Sequence, residues 1–267
     1  MLEAKNITVR LGGNTLLGGV DAVAKPGELL VIAGMNGAGK TTLLRVLSGE
    51  IAPSEGIVLW GGAPLKSFKS RNLAKVRAYL SQRTICALPF RAIEIVRLGV
   101  DASESESGAD EESLAWAALE LCGVTHLAER LIDTLSGGEQ QRVHWARVVA
   151  QLGGQSTASL KGKCLLLDEP ISALDLAHQH EMLALARSLA ERGCAVIAVL
   201  HDLNLSAEYG DRMLLLANGC VAAEGTPREV LTPSIIRTAF GLRVRVESSP
   251  VSGSPCVFVE KGAVASV

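Results

Sequence analysis

A glycine-rich segment near the start of the chain has the residue types needed to hold a polyphosphate. It reads Gly34-Met35-Asn36-Gly37-Ala38-Gly39-Lys40-Thr41 and lies between an apolar run at 29–33 and a predicted helix at 42–47. Glycines at this spacing let successive backbone N–H groups face one anion, to which the helix adds the positive end of its dipole. Lys40 would place a cation at the β- and γ-phosphates, and the Thr41 hydroxyl could ligate Mg²⁺. The flanking strand and helix favour this interpretation over a glycine-rich turn with an unrelated lysine. The residues predicted to contact the nucleotide here are Gly34, Asn36, Gly37, Ala38, Gly39, Lys40, Thr41 and Thr42.

A pair of carboxylates follows a second apolar run. Asp168 and Glu169 come after Cys164-Leu165-Leu166-Leu167 and precede Pro170. We expect Asp168 to end a strand that lies beside the loop strand, where it would hold the Mg²⁺ shell through water. Glu169 would accept a proton from the attacking water, while Mg²⁺ and Lys40 neutralise charge on the transferred phosphoryl group. An acidic pair at a strand end can also be a helix cap, but the apolar run and Pro170 favour catalysis.

A second anion-binding segment precedes a predicted helix at 139–152. Ser136, Gly137, Gly138 and Glu139 combine a hydroxyl group, flexible backbone N–H groups and a helix N-terminus. One nucleotide would need both segments, although they are expected on different subdomains. The sequence therefore predicts a head-to-tail pair of chains with two nucleotides buried between them.

The elements that must position these residues alternate between strands and helices. Antiparallel strands are predicted at 2–10 and 15–24, and an Asn218-Gly219 turn is predicted to join strands at 211–217 and 220–223. Further strands are predicted at 29–33, 76–81, 163–167, 195–200, 243–247 and 256–260, and helices at 90–99, 112–122, 176–192 and 227–240 with a break near Pro233. The pattern predicts an α/β core interrupted by an all-helical insertion at about 84–153. The acidic stretch at 101–111 is interpreted as a solvated surface loop rather than a specific binding site.

Composition excludes several classes of protein. The net charge of −2 gives no electrostatic case for a nucleic-acid partner. No apolar run approaches the roughly 20 residues that a membrane-spanning helix needs, and the first residues lack a signal-peptide pattern. The six cysteines are scattered without a Cys-x-x-Cys motif, which predicts reduced thiols rather than a zinc site.

With these three motifs in place, the chain resembles the ATP-binding cassette family of ATPases across essentially its whole length. The resemblance implies a P-loop NTPase (RecA-like) core with an N-terminal antiparallel β subdomain and a helical insertion. It implies that Gln82 contacts Mg²⁺ and the γ-phosphate and couples the site to a membrane partner. It also implies that His201 contacts the γ-phosphate, although alone this residue would be taken for an ordinary strand-end histidine. The loop implied to cross the dimer interface is Ser172, Ala173, Leu174 and Asp175.

The chain departs from the family pattern at the base-binding position. Family members usually stack an aromatic side chain on adenine near position 11, where this chain has Leu11. Aliphatic packing or stacking by Arg10 is then expected to replace the aromatic contact.

Segments 175–180, 201–205 and 225–231 are similar to the importer branch that serves iron-siderophore, haem and cobalamin permeases, and segment 244–255 is most similar to bacterial haem importers. The resemblance implies a single nucleotide-binding domain over 1–267, with its core at about 1–83 and 154–235, a helical subdomain at 84–153 and an extension at 236–267. It implies ATP and Mg²⁺ as cofactors. The implied partners are a second copy of the chain, two transmembrane permease subunits and an extracytoplasmic substrate-binding protein acting on the permease, with no nucleic acid. The implied location is peripheral, on the cytoplasmic side of the inner membrane.

The expected function is therefore ATP hydrolysis that energises haem uptake. Siderophore or cobalamin import remains an alternative, since the cargo never touches this chain. A soluble cassette ATPase of DNA repair or translation would usually show coiled-coil insertions, fused cassettes or a basic face. A regulatory module without turnover is disfavoured by the intact Glu169 and His201. His178 and His180 are interpreted as surface residues of a helix rather than as metal or haem ligands.

Overall fold

The computed structural model describes residues 1–82, 89–103 and 111–264. Its strands are β1 Leu2–Leu11, β2 Asn14–Ala24, β3 Leu29–Gly34, β4 Glu55–Trp60, β5 Ala63–Pro64, β6 Arg77–Leu80, β7 Cys164–Asp168, β8 Ala195–Val199, β9 Arg212–Ala217, β10 Cys220–Gly225, β11 Leu242–Ser248 and β12 Pro255–Val264. Its helices are α1 Lys40–Leu47, α2 Ser70–Ala74, α3 Ala92–Ser103, α4 Glu111–Leu121, α5 Gly137–Leu152, α6 Leu176–Glu191, α7 Leu203–Tyr209, α8 Pro227–Val230 and α9 Pro233–Phe240.

The central sheet places the ends of its parallel strands at one edge. Its strand order is β10-β9-β3-β8-β7-β6, parallel except for β10. Strands β3, β7 and β8 are buried along their whole length, as continuous apolar runs predict for strands covered on both faces. The carboxyl ends of these three strands lead into the glycine-rich loop, Glu169 and His201. Such an edge is where open α/β sheets bind their ligands.

One predicted neighbour relation is wrong. The strand ending at Asp168 was expected beside the loop strand β3, but β8 lies between β7 and β3 and pairs with both. The physical reason is the α6 crossover, because consecutive parallel strands joined by a helix tend to pair directly. Helix α1 nevertheless contacts both β7 and β8, and this brings the start of α1 within reach of Asp168.

A four-stranded antiparallel sheet with order β2-β1-β4-β5 packs against one face of the core. The predicted strands β1 and β2 pair from Leu2 with Ala24 to Leu11 with Asn14. Strands β4 and β5 and helices α2 and α7 were not predicted. Apolar residues of this sheet, of α1 and of one face of the central sheet form a single buried cluster. The glycine-rich loop therefore lies against a closely packed apolar cluster.

Helices α3, α4 and α5 form the helical unit. The predicted helix at 90–99 extends to Ser103, so Asp101 belongs to α3, Glu111 begins α4, and 104–110 of the predicted acidic loop lie outside the described residues. Helices α3 and α5 cross closely at Gly99, where a Cβ atom would lie 2.1 Å from the Arg147 carbonyl oxygen. This close contact fixes α5 against α3.

The chain from β9 onward forms two hairpins and two short helices. Asn218 and Gly219 both have positive φ, at 50° and 77°, as a two-residue turn of this kind requires. The predicted break separates α8 from α9 at Pro233. The β11–β12 hairpin packs on α7, where the Asn204 carboxamide accepts from Val257 N at 2.7 Å and donates to Val257 O at 3.4 Å. None of the helices within 1–82, 89–103 and 111–264 is long and apolar enough to cross a membrane.

Candidate active site

The glycine-rich loop is packed too closely for side chains at two positions. Gly34 has φ +146°, and a Cβ atom there would lie 2.2 Å from the Leu216 carbonyl oxygen. Gly39 has φ +97°, and its Cβ atom would lie 2.9 Å from the Leu16 carbonyl oxygen as well as 2.6 Å from Leu17 Cδ2. The loop is thus pressed between β9 and β2, and glycine is the residue that fits both the backbone conformation and the space.

Lys40 is folded back onto the loop that precedes it. Its Nζ donates to the carbonyl oxygens of Gly34 and Met35, each at 2.9 Å. Burial lowers the pKa of Lys40, while the nearby Glu169 and Asp168 carboxylates oppose that shift. The lysine is therefore a pre-positioned cation whose oxygen partners a phosphate group could replace.

Asp168 sits at the end of β7 with both carboxylate oxygens engaged. It is 1% exposed; Thr41 Oγ1 donates to Oδ1 at 3.1 Å, and the Tyr79 hydroxyl donates to Oδ2 at 3.5 Å. Burial raises the pKa of Asp168 and, as the main cause, that of Tyr79. A hydroxyl and a carboxylate are hard oxygen donors of the kind that Mg²⁺ prefers, so this donor set fits the implied metal. Tyr79 was not predicted, because nothing in its short strand distinguishes it from a packing residue.

Glu169 and His201 face each other across the strand ends. Glu169 Oε1 lies 2.7 Å from His201 Nε2. Glu169 has φ +49°, a left-handed conformation that is uncommon for a residue with a side chain. Its side chain is largely shielded while that of His201 is 43% exposed. A shielded carboxylate that is held by an accessible imidazole, on a residue with a strained backbone, is an arrangement typical of catalytic positions.

Lys40, Thr41, Glu169 and His201 line one cleft of about 450 Å³, and Asp168 is linked to this cleft through its hydrogen bond with Thr41. Its lining residues are Leu16, Asn36, Gly37, Gly39, Lys40, Thr41, Thr42, Gln82, Glu169 and His201. Gln82 is thereby brought to the same cleft as Lys40 and Glu169. Leu11 lies outside this set and is 70% exposed, while Arg10 pairs with Glu55 at 2.6 Å. Leu16, which was not predicted, is the aliphatic side chain at the cleft.

The second segment predicted to bind an anion lines a different cleft, of about 400 Å³. Its lining residues are Ser136, Gly137, Gly138, Glu139, Arg142, Ala173, Leu174, Asp175 and His178. The Ser136 hydroxyl and backbone N–H both donate to Glu139 Oε2 at 2.8 Å, and the two bonds lower the pKa of Glu139. Within one chain the two predicted anion-binding segments therefore line separate clefts. The second cleft is also lined by three of the four predicted interface residues, Ala173, Leu174 and Asp175.

The remaining predicted residues have local partners. Ser172 donates through Oγ to the Glu169 carbonyl at 3.2 Å, next to the second cleft. His178 Nδ1 lies 2.8 Å from Asp175 Oδ1, and His180 Nδ1 lies 2.8 Å from the Tyr209 hydroxyl. Both histidines thus make ordinary side-chain contacts at the start of α6.

Comparison with known proteins agrees with this geometry. The family model described as ABC transporter matches residues 17–172. A hemin import ATP-binding protein of Gloeobacter violaceus is 48% identical over 258 residues, covering 96% of this chain and 93% of the relative. One of Myxococcus xanthus is 44% identical over 260 residues, covering 97% of each. A dimeric ATP-binding cassette in a post-hydrolysis state with ADP and Pi has a TM-score of 0.72 at 28% identity, covering 85% of this chain and 99% of that one. A putative metal-chelate type ABC transporter in an inward-facing conformation has a TM-score of 0.76 at 24% identity, covering 97% of this chain and 96% of that one. The chain belongs to the ABC transporter family.

Proposed function

We propose that this protein is the Mg²⁺-dependent ATP-hydrolysing subunit of an importer that energises haem uptake. The observation that carries the proposal is the placement of Lys40, Thr41, Glu169 and His201 around one cleft at the carboxyl edge of the parallel sheet, with Asp168 hydrogen-bonded to Thr41. The cargo is argued from the relatives, which are named as hemin import ATP-binding proteins at 41–48% identity over nearly the whole chain.

The cleft would bind the triphosphate through the glycine-rich loop. The Lys40 ammonium would exchange the Gly34 and Met35 carbonyls for phosphate oxygens, and Asn36, Gly37, Ala38, Gly39, Thr41 and Thr42 would supply backbone N–H groups at the start of α1. Thr41, Asp168 and Gln82 would hold Mg²⁺, which neutralises charge on the phosphoryl oxygens when it is bound. The half-buried Tyr79 hydroxyl would keep the Asp168 carboxylate oriented toward Thr41.

Glu169 would act as the general base for the attacking water. His201 Nε2 holds the Glu169 carboxylate at 2.7 Å, and its exposure lets it contact a γ-phosphate in the same cleft. A positioned general base contributes about 10²–10⁴-fold to the rate. This sets the scale of the effect expected when Glu169 is neutralised.

A complete site would need two chains. The cleft with Ser136, Gly137, Gly138 and Glu139 is separate from the Lys40 cleft within one chain. A head-to-tail homodimer would bring the Ser136 segment of each chain to the phosphates bound by the other. The neighbouring loop, Ser172 to Asp175, would then cross the interface. Within each chain we propose a core at about 1–83 and 154–235, a helical subdomain at 84–153 and an extension at 236–267.

The proposed setting is the cytoplasmic side of the inner membrane, on two permease subunits that an extracytoplasmic binding protein loads. ATP would act as a ligand with higher affinity for the closed pair of cassettes, and hydrolysis would reset the open pair. Gln82 and the helical unit would carry the movement to the permease.

The test is growth of a strain that lacks this protein, with haemin as the sole iron source. Wild-type and Glu169→Gln copies are added back, and a ferric siderophore and an iron salt serve as controls. Growth lost only on haemin, and restored by wild type alone, is the expected result. Normal growth on haemin with failure on the siderophore would overturn the cargo but keep the importer. Absence of Mg²⁺-dependent ATP hydrolysis by the purified wild-type protein with its permease would overturn the enzymatic proposal.

A further inference from the structure

Gln141 connects the helix of the second cleft to the turn that carries Glu169. Its Nε2 donates to the Glu169 carbonyl oxygen at 3.0 Å, and its Oε1 accepts from Ala173 N at 3.1 Å. One carboxamide therefore satisfies a carbonyl next to the first cleft and an N–H of the proposed interface loop. Gln141 lies in the first half of α5, which begins directly after Ser136.

The turn that Gln141 holds is strained and is restrained from several sides. Glu169 has φ +49°, and its carbonyl also accepts from Ser172 N at 3.3 Å and Ser172 Oγ at 3.2 Å. Four residues further along α5, the buried Trp145 Nε1 donates to the Pro170 carbonyl at 2.9 Å. Residues spaced by four lie on one face of a helix. This face of α5 therefore binds two consecutive carbonyls of the turn.

The same helix is in direct contact with the interface loop at its first residues. A Cβ atom on Gly138 would lie 2.9 Å from the Ala173 carbonyl oxygen. Because Gly138 has no side chain, the start of α5 lies directly against Ala173, the loop residue whose backbone N–H donates to Gln141 Oε1. Small displacements of α5 must be passed to the Glu169 turn, because tightly packed contacts transmit strain.

We infer that Gln141 is a positioning residue that fixes the backbone conformation from which Glu169 directs its carboxylate at His201 and the attacking water. The inference rests on the proposed function. Without the carboxamide, Glu169 loses one of the bonds that stabilise its left-handed backbone, and the carboxylate leaves its place beside His201 Nε2. Misplacement of a reacting group by about 1 Å can cost about 10²-fold.

The expected effect divides between kcat and KM in a way that a merely structural residue would not produce. Gln141 is not among the residues proposed to contact the nucleotide, so KM for ATP should change less than about 3-fold while kcat falls by about 10- to 100-fold. ATP-dependent dimer formation, measured in a Glu169→Gln background, should be unchanged in Gln141→Glu, because glutamate keeps the acceptor for Ala173 N and residue 141 itself would touch no nucleotide.

The experiment compares Gln141→Ala and Gln141→Glu with the control Gln140→Ala. Gln140 is the neighbouring glutamine of α5 and donates to the Leu135 carbonyl at 3.0 Å, away from the Glu169 turn. Gln141→Glu keeps the shape and the acceptor for Ala173 N but removes the donor to Glu169 O. Gln141→Glu therefore still tests the inference if Gln141→Ala folds poorly. Circular dichroism and thermal unfolding of each variant accompany the kinetics.

Both Gln141 variants should be slow in kcat with near-normal KM, and Gln140→Ala should remain within about 2-fold of wild type. Two results for Gln141→Glu would overturn the inference. One is a wild-type kcat, and the other is a loss of ATP-dependent dimer formation that accounts for its slower rate. Inactive wild-type protein would instead indicate that the proposed function is wrong, so the two failures are distinguishable.

Discussion

Acid should destabilise this protein through one buried histidine in α5. His144 is 5% exposed, and among the described residues neither of its ring nitrogens has a hydrogen-bond partner. Burial, with a smaller contribution from the nearby Arg147, lowers the pKa of His144 from 6.5 to about 4. The folded protein therefore keeps this imidazole neutral at pH values where the unfolded chain protonates it.

The sign and size of the effect follow from linkage. Because the folded-state pKa lies below the unfolded-state pKa, the associated stability is fully present above pH 6.5 and is lost as the pH falls toward about 4. At 1.36 kcal/mol per pKa unit the complete loss is about 3 kcal/mol, and between about pH 7.5 and about pH 5 it is about 2 kcal/mol. This is a large share of the 5–15 kcal/mol typical of a domain.

The perturbation that isolates His144 is His144→Leu. Leucine has a comparable volume and no ring nitrogen to desolvate, so stability near pH 7.5 should stay within about 1.5 kcal/mol of wild type. At about pH 5 the wild type should have lost about 2 kcal/mol more than the variant. Urea unfolding at both pH values, followed by tryptophan fluorescence and circular dichroism with coincident transitions, measures this double difference.

The control is His126→Leu, which removes a histidine from an exposed position. Every other titrating group, including the buried Asp168, is shared by wild type and variants and cancels in the comparison. An equal loss of stability in wild type and His144→Leu between the two pH values would refute the reasoning.

Three further predictions concern the nucleotide clefts. Glu169→Gln should bind ATP but hydrolyse it about 10²–10⁴-fold more slowly and accumulate as an ATP-bound dimer in size-exclusion chromatography; a fully active monomeric variant would contradict this. Gly34→Ala should lower the free energy of unfolding well beyond Gly37→Ala, because its Cβ would lie 2.2 Å from a carbonyl oxygen whereas Gly37 has no atom within 4 Å; equal chemical-denaturation midpoints would count against the packed-loop argument. Lys40→Ala and Ser136→Ala homodimers should both be nearly inactive, but mixing the chains should restore ATPase activity, since one composite site in a mixed head-to-tail pair carries neither change; no gain on mixing would argue against shared sites.

The sequence predicted the family and the fold class, and the comparisons confirm both. Long apolar runs located β3, β7 and β8 because strands buried on both faces need no polar alternation. The Asn218-Gly219 turn and the break at Pro233 were predictable because these residue types restrict the backbone locally. Prediction failed where the information was not local. The position of β8 between β3 and β7 depends on how the helical crossovers order the parallel strands, and no single segment of the sequence determines that order.

The site shows the same division. The glycine-rich loop and Asp168 could be proposed from the sequence because phosphate and metal binding impose residue types at fixed spacing, and the structure places Asp168 within hydrogen-bond distance of Thr41. Tyr79 and Leu16 were not, since their positions at Asp168 and at the cleft depend on sheet register rather than on any motif. Gln141 lies two residues after the predicted Ser136–Glu139 segment, yet nothing in the sequence indicated that its side chain faces back toward Glu169 of its own chain.

Helix α5 shows why these unpredictable contacts matter to the proposed mechanism. Its first residues line the second cleft, its middle holds the Glu169 and Pro170 carbonyls, and further along Arg147 Nη2 donates to the Tyr79 carbonyl at 3.3 Å. Tyr79 in turn contacts Asp168, and Gln82 follows shortly after β6. A nucleotide that binds against Ser136 of one chain would therefore act on a rigid helix that holds the backbone of the proposed general base Glu169 and, through Tyr79, reaches the proposed metal ligand Asp168 of the same chain. Nucleotide binding at either site would then change the geometry of the other site, because α5 is packed too tightly to move at one end alone.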